Sequence, residues 1–121
     1  MFIIDDTTGD MITRQGDTFS LNVTGITDDW TAYFSVYRDR EILFEIHTTP
    51  VDGTSTFNIT AAQSNLMTVP TNKKYEIYHY GIKRCKDGIE DTVIVGDKQV
   101  GELNKITVYP LTTEGTANGA S

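Results

Sequence analysis

The chain has one cysteine, three prolines and two histidines in 121 residues, and its negative charges outnumber its positive ones by seven. Each shortage excludes something. A lone Cys85 forbids an intrachain disulfide, so neither a cystine-stapled secreted module nor an antibody-type domain with a bridged sandwich fits. Two imidazoles, His47 and His79, are too few for a zinc site unless Cys85 joins them, and nothing stands at ligand spacing. The excess of acid, with a pI near 4.6, disfavours phosphate backbones and anionic lipid, so no nucleic-acid or membrane partner is expected. The one local cluster of cations, Lys83-Arg84 with Lys86, reads as a solvated corner. Apolar runs are short throughout: none reaches the roughly 18 residues that span a bilayer. The three apolar residues after Met1 lack the basic flank and length of a secretory signal. Synthesis in a cytoplasm without an export signal is the expectation.

What is present is strand chemistry. Threonine is abundant while alanine and leucine are scarce, and six tyrosines, five phenylalanines and one tryptophan carry the buried area that a 38% apolar content would otherwise lack. In the run Ile12 to Thr24, Phe19, Leu21 and Val23 alternate with Ser20, Asn22 and Thr24 beyond a Gly16-Asp17 kink. Such a period of two marks a strand with one dry face. Trp30 to Arg38 alternates Ala32, Phe34 and Val36 against Tyr33, Ser35 and Tyr37. Asp39-Arg40 is a hairpin connection into Glu41 to Thr48, where Ile42, Phe44 and Ile46 oppose Leu43, Glu45 and His47. Pro50 with Asp52-Gly53 predicts a turn into a strand presenting Phe57 and Ile59. Thr60-Ala-Ala-Gln63 fits a capping box, and Pro70 leaves room for about one helical turn, expected to carry Leu66, with Met67 beside it, into the core. Lys74 to Arg84 reads as a long strand, Asp87-Gly88 as a hairpin turn, Glu90 to Val95 as its return and Lys105 to Tyr109 as the last strand; Phe2 to Ile4 is a short edge strand.

Seven to nine short strands with one helical turn predict an all-β, antiparallel sandwich over residues 1–109, with residues 110–121 as a flexible or partner-held tail. A small closed barrel is the alternative architecture. Trp30 is expected to be buried at the start of its strand, its indole N–H on a carbonyl.

Catalytic signals are weak. Cys85 lies beside a hairpin turn with no glycine-rich elbow or helix start to activate it, and no nucleophile stands out. Asp5, Asp6 and Asp10 depart from the spacing of a calcium loop and read as a solvated turn; Asp28-Asp29 and Glu90-Asp91 read alike. The glycines sit singly at turns and strand breaks, so there is no phosphate loop. No cofactor is expected. The aromatics say more. In YEIYHYGIKR, Tyr75, Ile77 and His79 alternate with Tyr78, Tyr80 and Ile82, and both sets are bulky. One set must face away from the core, as a partner interface, under a covering loop, or as a sugar platform.

The order of ITRQGDTFSLNVTG, TAYFSVYRD, VDGTSTFNIT, TAAQSNLM, a tyrosine-rich strand and KDGIEDTVIVGD resembles the small immunoglobulin-like β-sandwich of tailed-phage virion proteins. It is similar to the N-terminal domain of baseplate upper proteins. Gly16, Asp17 and Thr18 match that family's kink; Thr60, Ala62, Gln63 and Leu66 its corner; Tyr78, Tyr80 and Ile82 its tyrosine strand; Val93 and Gly96 its hairpin return. The match spans roughly Ile12 to Val108, with Val69-Pro70-Thr71-Asn72 in place of a Pro-Gly, Gly81 where a polar residue is common, and Asp97 to Asn104 as an inserted stretch. The resemblance implies that Tyr78, Tyr80 and Ile82 point inward. Tyr75, Ile77 and His79 are then left for a contact surface, and with Tyr33 and Tyr37 from the Trp30 to Arg38 strand they make up the candidate partner interface. It further implies a non-enzymatic virion component, present in many copies and docked on other virion proteins as capsid decoration or tail and baseplate linkage. A glycan-binding module using exposed tyrosine and tryptophan, Tyr33 or Tyr37 foremost, is the alternative, and a small hydrolase the third reading.

Overall fold

The structure is a computed structural model that describes residues 1–99 and 102–111. Its strands are β1 (Phe2–Ile4), β2 (Met11–Arg14), β3 (Phe19–Thr24), β4 (Thr31–Arg38), β5 (Glu41–Thr48), β6 (Thr54–Ile59), β7 (Glu76–Lys86), β8 (Ile89–Val93) and β9 (Asn104–Tyr109), with one helix, α1 (Ala61–Asn65). The predicted all-β sandwich is what forms. A seven-stranded sheet runs β1-β2-β9-β7-β4-β5 with β8 beside β7, and a two-stranded sheet, β3-β6, packs on it. Only the β2–β9 pair is parallel; the others are antiparallel. The expected C-terminal tail lies, from residue 112 onward, outside the described residues.

Alternation decides which side of each strand is dry. Phe19, Leu21 and Val23 of β3 and Phe57 and Ile59 of β6 meet Ala32, Phe34 and Val36 of β4, Tyr78, Tyr80 and Ile82 of β7, and Ile106 and Val108 of β9. Phe34 sits at the centre, its ring 5.6 Å from Phe57 and 5.2 Å from Tyr80. Placing Tyr78, Tyr80 and Ile82 inward settles which face of the tyrosine strand is buried. Tyrosine there brings a hydroxyl into an apolar layer, and each hydroxyl is spent on a carbonyl. Tyr78 donates to Thr68 at 2.6 Å and Tyr80 to Gly9 at 2.5 Å. Burial, reinforced by the nearby Asp10 carboxylate, drives the Tyr80 phenol far above its ordinary range, so it stays a donor.

A second polar side chain completes that tie. Asn104, buried at the start of β9, donates to the carbonyls of Thr8 at 2.9 Å and Val95 at 3.1 Å. The backbones approach too closely for side chains: a Cβ on Gly9 would lie 2.5 Å from the Asn104 amide, and one on Gly96 2.3 Å from the Thr8 carbonyl. Both glycines also have positive φ. Asn104 therefore belongs to the framework, although it looks like the end of an insertion in the sequence.

The capping box forms: Thr60 accepts from the Gln63 N–H at 3.2 Å, and Gln63 accepts from the Thr60 N–H at 2.9 Å. Here the expectation for Leu66 is corrected. Leu66 is 46% exposed and Met67 is fully buried, because the helix ends at a C-cap on Leu66 after a single turn. The corner also docks on the Gly16 kink, whose N–H donates to the buried Ser64 hydroxyl at 3.0 Å, while the Gln15 amide donates to the Asn65 carbonyl at 3.1 Å.

Two further differences have local causes. Leu43 is a bulge, since Val36 pairs with Phe44 but Tyr37 pairs with Ile42, so Ile42 leaves the inward set and is 55% exposed. Trp30 is half-buried, lying just before β4, with its ring under the Arg84 guanidinium at 4.4 Å and the Lys86 ammonium at 5.4 Å. The ring packs on the margin of the core while these two cations approach it from β7.

Tyr80→Phe keeps the ring but orphans the Gly9 carbonyl, and should lower unfolding free energy by about 1–3 kcal/mol. Arg40→Gly should raise it by about 0.5–1 kcal/mol, because Arg40 holds φ 74 in the β4–β5 turn. Denaturant titration of both variants measures the two effects.

Candidate interaction face

The outward side of the seven-stranded sheet carries the residues that alternate with the core. Register places them in rows across the strands. Ile3, Ile12, Thr107 and Ile77 lie directly side by side on β1, β2, β9 and β7. Ile3 is 54% exposed and Ile77 37%, with Ile12 half-buried between them. Below this row Tyr109 pairs with Arg14, and the Tyr75 ring lies 5.9 Å from that of Tyr109. Above it Lys105 pairs with His79, and His79 with Tyr37. An apolar strip is thus flanked by Arg14, Lys105 and His79 on a chain whose net charge is −7.

The other half of the face is polar. Tyr33 stands beside His47, ring centroids 5.5 Å apart, and the Lys83 ammonium lies 5.6 Å from its ring centre. Lys83 is held by Glu90 at 2.8 Å, a hydrogen bond that raises the ammonium pKa and lowers that of the carboxyl. Ser35 donates to Glu45 at 2.5 Å. Between the two halves stands Gly81, where a Cβ would meet the Leu103 side chain at 3.1 Å. That close approach accounts for a glycine in mid-strand. Beside it a cleft of about 460 Å³, lined mainly by apolar side chains such as Ile82, Val93, Ile94 and Leu103, opens where β8 gives way to β9.

All five residues singled out in the sequence face outward, but in two groups. Tyr75, Ile77, His79 and Tyr37 border the apolar strip, whereas Tyr33 belongs to the charged half. Ile3, Ile12, Thr107 and Tyr109 were not singled out. Each looks unremarkable on its own short strand, and only the pairing of β9 with β7 and of β2, far off in the chain, with β9 makes them neighbours of Ile77.

The carboxylates weighed as ligands serve the fold. Asp5 accepts from the N–H groups of Thr7 and Thr8, Asp10 from Lys105 N and Lys98, and Asp28 from Asp52 N and Gly53 N. Among the described residues no three of His, Cys, Asp and Glu gather as metal ligands. His47 and His79 stand on β5 and β7 with β4 between them, and Cys85 faces Thr31 and Glu90.

Asp29 is the acid with the most distinct titration. Its hydrogen bond to Lys86 at 2.6 Å, helped by one from Thr27, lowers its pKa from 3.8 to about 2. The ionised form is favoured by folding, so its contribution is complete above the ordinary value and drains away as pH falls through about 2. Asp29→Asn should therefore be less stable than the parent at neutral pH, and the difference should vanish in acid; thermal melts across that range decide it.

Comparison with protein-family models, with curated proteins and with solved structures finds no match for this chain.

Proposed function

We propose that this chain is a non-enzymatic structural module of a tailed bacteriophage virion, an immunoglobulin-like sandwich that docks on other virion proteins through the outer face of its large sheet. Two lines support the reading. One is the order of motifs from the Gly16 kink through the Thr60 corner to the tyrosine strand, which resembles that family over most of the chain. The other, which carries it, is the outward row Ile3, Ile12, Thr107 and Ile77, exposed at Ile3 and Ile77 and half-buried between them, with Tyr75 and Tyr109 beside it. Large apolar side chains such as Ile3, Ile77 and Tyr75 left exposed on one face of a sheet point to a contact. Arg14, Lys105 and His79 at its margin fit a partner surface with an apolar centre and an acidic rim. The many identical copies of a virion would add avidity to a modest single contact.

A glycan-binding module needs an open aromatic face on which a sugar ring can lie. Tyr33, the aromatic best placed by its polar neighbours, has Lys83 over its ring and His47 against it, which favours the docking reading.

Mass spectrometry of purified particles should find this chain as a stoichiometric component; its absence from them would end the proposal. Ile77→Asp places a charge in the apolar row and should reduce incorporation by about tenfold to a hundredfold. The thermal midpoint of the isolated variant should stay close to that of the parent, because Ile77 lies outside the core. Equal loss of folding and incorporation would count against the face.

A further inference from the structure

We propose that a second copy of this chain docks along the free edge of β5, antiparallel across a two-fold axis through Ile46, and continues the seven-stranded sheet into its partner. The first observation is which edges are guarded. The β1 edge is three residues long. The β8 edge carries charge on both faces, with Glu90 paired to Lys83 and Asp91 to Arg84. β3 and β6 show water only Ser, Asn and Thr along their outward faces. β5 is the exception, an eight-residue terminal strand with no lysine and no proline. Such an edge offers a row of N–H and C=O groups to another strand. Among the described residues, the backbone of Phe44 to Thr48 bonds only to β4.

The second observation is that the strand complements itself. The Leu43 bulge interrupts regular pairing, so the segment fit for strand addition is Phe44 to Thr48. Set antiparallel to its own copy about Ile46, this segment places Ile46 opposite Ile46, Phe44 opposite Thr48, and Glu45 opposite His47 twice. No like charges meet. Phe44 and Ile46 are half-buried, since the two-stranded sheet leaves the margin of the core open at β5, and the added strand would cover them. Glu45 and His47 face outward beside Ser35, Tyr33 and Lys83, so the two new carboxylate–imidazole contacts form on the same side as the polar half of the outer face. A single copy of this segment thus supplies both partners of every cross-strand pair, which an unrelated strand would have to match by chance.

Sedimentation equilibrium of the whole chain at concentrations up to the millimolar range should show a reversible dimer. His47→Glu sets two carboxylates against two carboxylates, and Glu45→Lys removes the acceptor that each imidazole would meet; each should weaken the dimer by about tenfold or more. The double swap should restore it. In a Cys85→Ser background, Ile46→Cys should form a symmetric intermolecular disulfide on mild oxidation, since directly opposed residues on paired strands stand about 4.5–5.5 Å apart at Cα. Asn58→Cys, on the outer face of β6, should cross-link far less. A chain that stays monomeric, a dimer indifferent to Glu45→Lys, or equal cross-linking through positions 46 and 58 would each overturn the proposal. A dimer abolished by Ile77→Asp but not by Glu45→Lys would do the same while leaving the outer face standing as a contact surface.

Discussion

The fold hangs on a polar junction where the Gly9 turn, β7, the segment at Val95 and the start of β9 meet. The Tyr80 hydroxyl holds the Gly9 carbonyl, and the Asn104 amide holds those of Thr8 and Val95. Without the first bond the Gly9 carbonyl would lie buried with no donor, which costs more than an average hydrogen bond gains, and the part-buried carbonyls of Thr8 and Val95 would lose their partner. They also fix geometry that the apolar core leaves loose. Tyr80 is in mid-β7, Asn104 opens β9, and the Gly9 turn joins β1 to β2, so one junction sets the order of the large sheet on the side away from β5. Gly9 and Gly96 are the backbone condition for it, because any side chain there would collide with the partner it serves.

What was legible in the sequence was whatever is decided locally. Period-two alternation placed β3, β4, β7 and β9, the Asp-Gly pairs placed two turns, and Thr60 with Gln63 announced the helix start. What escaped depended on contacts between segments far apart. The choice of Met67 over Leu66 as the buried residue follows from where the single helical turn stops against Ser64 and the Gly16 kink. The Leu43 bulge changes which residues of β5 face inward, and no local signal marks it. Trp30 was expected to be buried and is half-buried, packed on the margin of the core with two cations over its ring, because Arg84 and Lys86 project from the end of β7 to the same side. The candidate face was half legible: residues on β7 and β4 stood out by their bulk, while Ile3, Ile12, Thr107 and Tyr109 gained meaning only from register.

The charges show a division of labour. Asp29, Asp91 and Glu90 neutralise Lys86, Arg84 and Lys83 around the β7–β8 hairpin, and Asp10 engages Lys98 and the backbone of Lys105. The pairs around the hairpin, being largely exposed, add little to stability individually. They do keep the hairpin edge hostile to other strands and leave the apolar strip with a basic border, so the acidic chain presents distinct surfaces rather than one uniform field.

The parallel pairing of β2 with β9 carries a mechanical consequence. A load that enters ahead of β1 and leaves beyond β9 first peels away three residues of β1, then pulls β2 and β9 in opposite directions along their common axis. Their hydrogen bonds are then strained together in shear instead of opening one after another like a zipper. A sandwich wired this way resists tension along the line joining its two ends, a useful property in any component that must stay attached while the object it belongs to is pulled.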